Sequence, residues 1–212
     1  TMTIAVLGGT GPQGRGLALR WAVAGQQVVI GSRDAARAQQ VAGELGHGIT
    51  GAANLQAAQQ ADIVLVAVPY EGHSALLRDV APALAGKILI DCVNPLGFDK
   101  QGAFPLAVPE GSAAQQAVAC VPEARVVAAF HHVSAVLLED LSQELDIDIL
   151  VLSEDREAAD EVIALAGLVP GMRGVFAGRL RNANQVESLT ANLISINRRY
   201  KVHAGIRVTD LP

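Results

Sequence analysis

The chain has 212 residues, half of them hydrophobic but only 3% aromatic, and its formal net charge is −5. Lysine and arginine form no run, which argues against a nucleic-acid-binding surface, and no apolar stretch approaches the ~18 residues of a membrane span. The two cysteines, Cys92 and Cys120, lack the spacing of a metal site. We therefore expect no bound metal, and reduced thiols in a cytoplasmic protein.

The first predicted element is a strand at Thr3–Leu7, and a glycine-rich segment and a helix over residues 12–24 follow it. Gly9, Gly11 and Gly14 fit the G-x-G-x-x-G pattern of dinucleotide-binding folds. We expect the first glycine to permit the tight turn out of the strand and the second to let the backbone approach a pyrophosphate. The third would let the helix pack on the strand, so that amide groups at the helix start face the anion.

The rest of the chain alternates between short apolar runs and amphipathic segments, which predicts an α/β fold. This fold would be a doubly wound, mostly parallel sheet of Rossmann-like architecture with a short C-terminal helical extension. Residues 98–111 are turn-rich and could be a mobile flap, and Asn184 and Glu187 have the spacing of a capping box. The further predicted strands are 27–30, 48–50, 63–68, 87–92, 125–130, 147–152 and 174–177, and the further helices are 35–45, 54–60, 72–84, 112–120, 156–166 and 184–200.

The residues after the second strand indicate which dinucleotide binds. A carboxylate about 20 positions beyond the glycine loop would bind the ribose 2′-hydroxyl of NAD, but Ser32 and Arg33 occupy this region here. A guanidinium can pair with a 2′-phosphate, and Arg37 could reach the same place from the next helix, so the sequence favours NADP. Two alternatives remain open. Asp34 could be the ribose ligand if the strand ends one residue later, or the arginines could belong to an ordinary solvated helix start.

The sequence resembles the NADPH-dependent deazaflavin reductases, also called coenzyme F420:NADP oxidoreductases. The resemblance is carried first by residues 8–18 and by Gly31-Ser32-Arg33, and it extends over nearly the whole chain. The other matching segments are Pro69-Tyr70-Glu71-Gly72-His73, Asn94-Pro95-Leu96, residues 131–135, and Asn182 with Val186-Glu187-Ser188-Leu189-Thr190. The chain departs from some members at His132 and Ser134, where they carry Thr and Pro.

The resemblance implies that NADP lies over the strand ends and that coenzyme F420, a deazaflavin, stacks on its nicotinamide. Residues 1–135 would form the dinucleotide-binding part, and residues 136–212 would pack on it in one compact domain and help to close the second-cofactor site. His131 and Val133 would lie near the two reacting rings, although histidines at a strand end are often simply hydrogen-bonded to backbone. The residues expected to bind cofactor are Gly9, Thr10, Gly11, Pro12, Gln13, Gly14, Ser32, Arg33, Arg37, Val68, Pro69, Tyr70, Asn94, His131, Val133, Gly205 and Ile206.

The sequence offers no evident acid–base pair for reducing a carbonyl, since it has no Tyr-x-x-x-Lys motif and no histidine at an obvious spacing from a carboxylate. Hydride transfer between two bound cofactors needs no such pair, because the cofactors carry the chemistry. We therefore predict a cytoplasmic, homodimeric oxidoreductase that moves hydride between NADP(H) and F420 without a catalytic side chain. The alternatives are an NADPH-dependent reductase of a flavin, an imine or a small carbonyl compound, and a non-catalytic NADP-binding sensor.

Overall fold

A computed structural model describes residues 2–212 of the chain. The strands in this part are β1 (Thr3–Leu7), β2 (Gln27–Ser32), β3 (Thr50–Ala53), β4 (Ile63–Val66), β5 (Ile88–Asp91), β6 (Leu96–Asp99), β7 (Gly102–Pro105), β8 (Arg125–Ala128), β9 (Ile147–Val151) and β10 (Met172–Phe176). The α-helices are α1 (Pro12–Val23), α2 (Ala35–Leu45), α3 (Asn54–Gln60), α4 (His73–Val80), α5 (Ala113–Cys120), α6 (Ala135–Glu139), α7 (Arg156–Gly167) and α8 (Ala183–Tyr200).

The main sheet contains six parallel strands in the order β3-β2-β1-β4-β5-β8. The predicted doubly wound Rossmann-like fold is therefore confirmed. Leu7 at the end of β1 pairs with Gly31 on one side and Val66 on the other, so the carboxyl ends of the central strands meet at one edge. In such sheets a ligand binds in the crevice at this edge, where the strand order reverses.

Apolar side chains fill both faces of the main sheet, as its continuous hydrophobic strands require. All four residues of β4 are buried, and so are all four of β5. On one face Trp21 of α1 packs edge-on against Phe130 with ring centroids 5.4 Å apart. The same apolar cluster reaches from β1 to α7, so it joins the main sheet to the C-terminal third of the chain.

The C-terminal third adds a smaller sheet to the main one. Strands β9 and β10 pair in parallel, and an antiparallel bridge between Ala128 and Leu152 links this pair to the end of β8. The prediction did not include α6, a helix of one turn between β8 and β9. None of the helices in residues 2–212 combines the length and hydropathy that would let it span a bilayer.

The predicted flap and the predicted capping box differ from the structure. The segment interpreted as a flap contains an antiparallel hairpin of β6 and β7, in which Gly102 turns the chain at φ +113°. The capping box is wrong, because the carboxylate of Glu187 accepts hydrogen bonds from Ala113 N and Ala114 N at the start of α5. Helix α8 begins instead after Asn182, whose side chain makes no capping bond.

Candidate cofactor-binding site

The turn out of β1 depends on two neighbouring glycines. Gly8 has φ +72°, and a Cβ there would lie 2.5 Å from the carbonyl oxygen of Ala67. Gly9 instead packs closely on the next strand, because its Cβ would lie 2.7 Å from Cβ of Ile30. The left-handed turn residue is therefore Gly8 and not the predicted Gly9, which is required for packing.

The other two glycines of the motif differ in whether a side chain would fit at their position. A Cβ on Gly14 would lie 2.8 Å from Cα of Gly9, so this glycine lets α1 pack against the turn, as predicted. At Gly11 the nearest heavy atom to such a Cβ would be the Gly8 carbonyl oxygen at 3.6 Å, an ordinary contact. The protein alone thus gives no steric reason for a glycine at position 11, and a ligand approaching the backbone would supply one.

Helix α1 starts at this loop with unpaired amide groups. Its first intrahelical bond runs from Arg15 N to Gly11 O, so the amides of Gln13 and Gly14 precede the hydrogen-bonded ladder. Pro12 occupies the first turn, where its missing N–H leaves nothing unsatisfied. A helix start of this kind attracts an anion, both through its N–H groups and through the helix dipole.

A groove of about 900 Å³ lies over the strand ends beside this loop. It brings together Thr10, Ser32, Arg33, Val68 and Pro69, all predicted from the sequence. Asn54, Leu55 and the near face of α4 complete its wall, and the sequence contained no signal for them. Arg37 and Tyr70 do not line the groove.

The two residues that follow Ser32 have different environments. Arg33 is exposed and has no hydrogen bond or ion pair with any other part of residues 2–212, so its guanidinium is available to a ligand. Asp34 caps α2, because its Oδ1 accepts hydrogen bonds from Ala36 N at 2.9 Å and Arg37 N at 3.4 Å. The carboxylate is thus engaged by the helix start, which weighs against its assignment as the ribose ligand.

The segment after β8 is held by side chains from three distant parts of the chain. Gln13 Nε2 donates to Phe130 O at 3.3 Å. The carbonyl oxygen of His131 accepts from Asn94 Nδ2 and from Thr190 Oγ1, both at 3.2 Å. The structure therefore brings the side chains of Gln13, Asn94 and Thr190 to the backbone of Phe130 and His131. Of these three, only Gln13 and Asn94 are among the residues expected to bind cofactor.

The two adjacent histidines are not equivalent. His132 Nε2 hydrogen-bonds to Val186 O at 2.6 Å. His132 is therefore bonded to backbone, as histidines at a strand end often are. The ring of His131 is only 5% exposed, and neither of its nitrogens has a partner among the described residues. Burial, helped by the nearby His132, lowers the pKa of His131 to about 3. His131 is therefore a neutral ring whose two nitrogens could bond to a ligand, and Val133 beside it is also buried.

The predicted tail residues pack against the smaller sheet. A Cβ on Gly205 would lie 2.7 Å from Cδ1 of Ile147, and Ile206 O accepts from Asp148 N at 2.8 Å. Asp148 also forms a bidentate ion pair with Arg173, which fixes β10 to the same place. These contacts order the tail along β9, and they do not by themselves bring it to His131.

A buried polar network behind the strand ends was missed from the sequence. His73 Nε2 lies 2.6 Å from Asp91 Oδ2, and its Nδ1 lies 2.8 Å from Gln116 Oε1. Burial alone would lower the pKa of His73, but the charge and hydrogen bond of Asp91, together with Gln116 and Glu187, outweigh it and raise this pKa. Asp91 Oδ1 accepts from Val93 N at 3.0 Å, so the network fixes the loop that carries Asn94. These partners are far apart in sequence, and only the helical spacing around His73 could have suggested that it is buried.

The sequence and the fold are similar to those of known proteins. A family model described as "NADP oxidoreductase coenzyme F420-dependent" matches residues 3–95. F420-dependent NADP reductase of Methanothermobacter thermautotrophicus is 41% identical over 223 residues, covering 100% of this chain and 96% of that protein. The protein of the same name from Methanocaldococcus jannaschii is 37% identical, with 99% of each chain covered. A crystal structure of a proposed F420-dependent NADP reductase from Arthrobacter sp. FB24 superposes with a TM-score of 0.85 at 29% identity, covering 98% of this chain and 100% of that one.

Proposed function

We propose that this chain, which belongs to the family of F420-dependent NADP reductases, transfers hydride between NADP(H) and coenzyme F420. The observation that carries the proposal is the groove over the strand ends, in which Thr10, Ser32 and an unpaired Arg33 converge. Two hydroxyls and a free guanidinium suit the 2′-phosphate that distinguishes NADP from NAD.

The remaining residues of the nucleotide site follow from the loop and the groove. At Gly11 a Cβ would meet no protein atom closer than 3.6 Å, and this room, with the unpaired amides at the start of α1, fits a pyrophosphate. The groove then continues past Val68 and Pro69 along the near face of α4. We assign the nucleotide to Gly9, Thr10, Gly11, Pro12, Gln13, Gly14, Ser32, Arg33, Arg37, Val68, Pro69, Tyr70 and Asn94.

We place the second cofactor beside His131 and Val133, with Gly205, Ile206 and the rest of residues 136–212 helping to close the site. The buried, unpartnered nitrogens of His131 support this placement, because buried polar atoms are usually hydrogen-bonded and a ligand would supply the missing partner. When bound, the two cofactors supply the hydride donor and the hydride acceptor. The residues of the chain then have to bind, orient and shield the rings, and the lowered pKa of His131 keeps it from acting as a cationic acid at neutral pH.

The experiment that tests this function mixes the purified protein with NADPH and oxidised F420 and follows the visible absorbance of F420. We expect bleaching that requires protein and NADPH, and little reaction when NADH replaces NADPH. FMN in place of F420 tests the flavin alternative. Reduction of FMN without reduction of F420 would overturn the choice of second cofactor, and equal rates with NADH and NADPH would overturn the choice of nucleotide.

We further propose that the chain acts in the cytoplasm, because its two free thiols suit a reducing compartment.

We also propose that the chain forms a homodimer. A cleft of about 600 Å³ between the β6–β7 hairpin and α8 supports the dimer. Phe98, which is 68% exposed, lines it together with Asp99, Arg198 and Arg199, so a two-fold related copy could pair unlike charges around an apolar centre. Light scattering should give twice the chain mass, and Phe98→Ser should shift the population toward the monomer. A monomeric wild-type protein would contradict the proposal.

A further inference from the structure

One face of α1 contacts the segment that carries the two histidines. Gln13, Gly16 and Arg20 follow one another at spacings of three and four, so they lie on the same side of the helix. Gln13 bonds to Phe130 O, and a Cβ on Gly16 would lie 2.6 Å from Cβ of Leu138 in α6. Helix α1 is therefore in close contact with the chain on both sides of residues 131–134.

Arg20 makes the strongest of these contacts. Its side chain is 5% exposed, with Nε 2.8 Å from Leu138 O and Nη2 2.8 Å from Leu137 O, 2.8 Å from Asp140 O and 3.0 Å from Gln143 O. All four partners are backbone carbonyls at or just beyond the end of α6, where an α-helix leaves its carbonyls unpaired. A cation there also interacts favourably with the end of the helix dipole. One guanidinium thus fixes a one-turn helix that has too few residues to be stable by itself.

We propose that Arg20 is a positioning residue for the F420 site, which fixes residues 130–143 relative to the nucleotide loop at the other end of the same helix. This inference rests on the proposed function. Gln13 and Arg20 are about 10 Å apart along a regular helix, which is too short to bend appreciably. The helix that begins at the pyrophosphate loop therefore also sets the position of His131 and Val133.

The arrangement predicts separate effects on the two cofactors. The nucleotide groove is built from the glycine loop and the ends of β1, β2 and β4, and none of these contacts Arg20 through a hydrogen bond. Loss of Arg20 should let α6 and the histidine segment shift while the groove keeps its shape. Because hydride transfer is sensitive to displacements of about 1 Å between reacting groups, the reaction with F420 should suffer.

The test compares Arg20→Met and Arg20→Lys with the wild-type protein. Calorimetry measures the Kd for NADPH, steady-state kinetics measures KM and kcat with F420, and fluorescence measures the emission of Trp21, the single tryptophan. For Arg20→Met we expect kcat/KM for F420 to fall by about tenfold or more while the Kd for NADPH changes by less than about twofold. Trp21 emission should also shift, because this ring packs against Phe130. Arg20→Lys, which keeps the charge and some donors, should be intermediate.

Arg125→Met is the matched control, since it breaks another arginine contact, the bidentate pair with Asp155, without touching residues 130–143. It should lower stability but leave the F420 kinetics unchanged. If Arg20→Met does not fold, Gly16→Ala perturbs the same α6 contact without removing a charge. Equal losses for both cofactors, or unchanged F420 kinetics, would overturn the inference. A wild-type protein that binds NADPH but neither binds nor reduces F420 would instead overturn the proposed function.

Discussion

At the scale of single residues, Arg33 and Asp34 have separate roles at the end of β2. Asp34 Oδ1 accepts a hydrogen bond at the start of α2, and the adjacent guanidinium is the one cation among the described residues that line the groove. Arg33→Ala should therefore weaken NADPH binding about 10- to 100-fold, the usual effect of losing hydrogen bonds to a charged group. Binding of NADH should change little, because it has no 2′-phosphate. Calorimetric titration with both nucleotides measures the difference.

The control for this substitution is Arg181→Ala, which removes the same charge from an exposed position outside the groove. It should leave both affinities unchanged. If Arg33→Ala weakens the binding of NADPH and NADH equally, the guanidinium does not bind the 2′-phosphate. Asp34 would then have to be reconsidered as the ribose ligand.

Gly11 and Gly14 provide a matched pair of substitutions three residues apart. Gly14→Ala should destabilise the fold by about 1–3 kcal/mol, because its Cβ would lie 2.8 Å from Cα of Gly9. Gly11→Ala should fold normally, since φ is −80° and the nearest contact is 3.6 Å, but it should weaken NADPH binding about tenfold or more by filling the pyrophosphate space. Thermal unfolding and NADPH titration of both variants measure this. Normal NADPH affinity in a stable Gly11→Ala protein would contradict the pyrophosphate assignment.

At the scale of elements, Glu187 connects α8 to the start of α5 inside the protein. Burial, with a further contribution from Asp91, raises its pKa to about 8, although the two backbone N–H groups that it accepts from oppose the shift. The folded state therefore retains a proton that the unfolded chain releases near pH 4.5. Because the unfolded state binds fewer protons over this interval, the free energy of unfolding should fall as the pH rises from about 4.5 to about 8.

Glu187→Gln isolates this contribution. As the pH rises from 5 to 8, the unfolding free energy of the wild type should fall by about 1–3 kcal/mol relative to that of the variant. His73 acts in the same direction, because the stability from its raised pKa is present below pH 6.5 and is lost as the pH rises through the raised value. The variant keeps most of this His73 contribution, because Glu187 is the smallest of the causes that raise the His73 pKa. Denaturant titrations at several pH values measure the difference, and a pH-independent difference would exclude a raised pKa at Glu187.

The elements that could be predicted from the sequence are those whose signals are local. Strands such as β4 are continuous apolar runs, and the glycine motif is complete within six residues. The sheet, and the position of Ser32 and Arg33 beside the glycine loop, were therefore predictable. The histidine segment was not predictable in the same way. His131 O and His132 depend on Thr190 and Val186, more than 50 residues away, and no spacing in the sequence reveals such contacts.

The same distinction explains the errors. Asn184 and Glu187 satisfy a local capping pattern, but the carboxylate reaches a different helix 74 residues away. The β6–β7 hairpin was hidden because its strands contain glycine and proline, and Gly97 is needed there because a Cβ would lie 2.5 Å from the ring of Phe104. Helix α6 has only five residues and depends on Arg20, so its own sequence carries little signal.

At the scale of the whole molecule, one apolar cluster joins the main sheet to β9, β10 and α7. Ser153 Oγ, which donates to Val126 O at 2.7 Å, and the ion pair of Arg125 with Asp155 cross the same boundary. A separate C-terminal unit would have to expose this shared core when it unfolded alone, and that exposure is unfavourable. We therefore predict that residues 1–135 and 136–212 unfold together.

Trp21 makes the prediction measurable, because the single tryptophan reports on the first helix while far-UV circular dichroism reports on all of them. The two probes should give the same midpoint in urea. NADP⁺ at about 100 times its Kd should raise both thermal midpoints together by roughly 5–10 °C, since binding to the folded state alone adds about 2.7 kcal/mol. NAD⁺ at the same concentration is the control and should shift neither midpoint appreciably. Separate midpoints, or a shift seen only by tryptophan emission, would mean that the C-terminal part unfolds independently and cannot be held in place by the nucleotide-binding part.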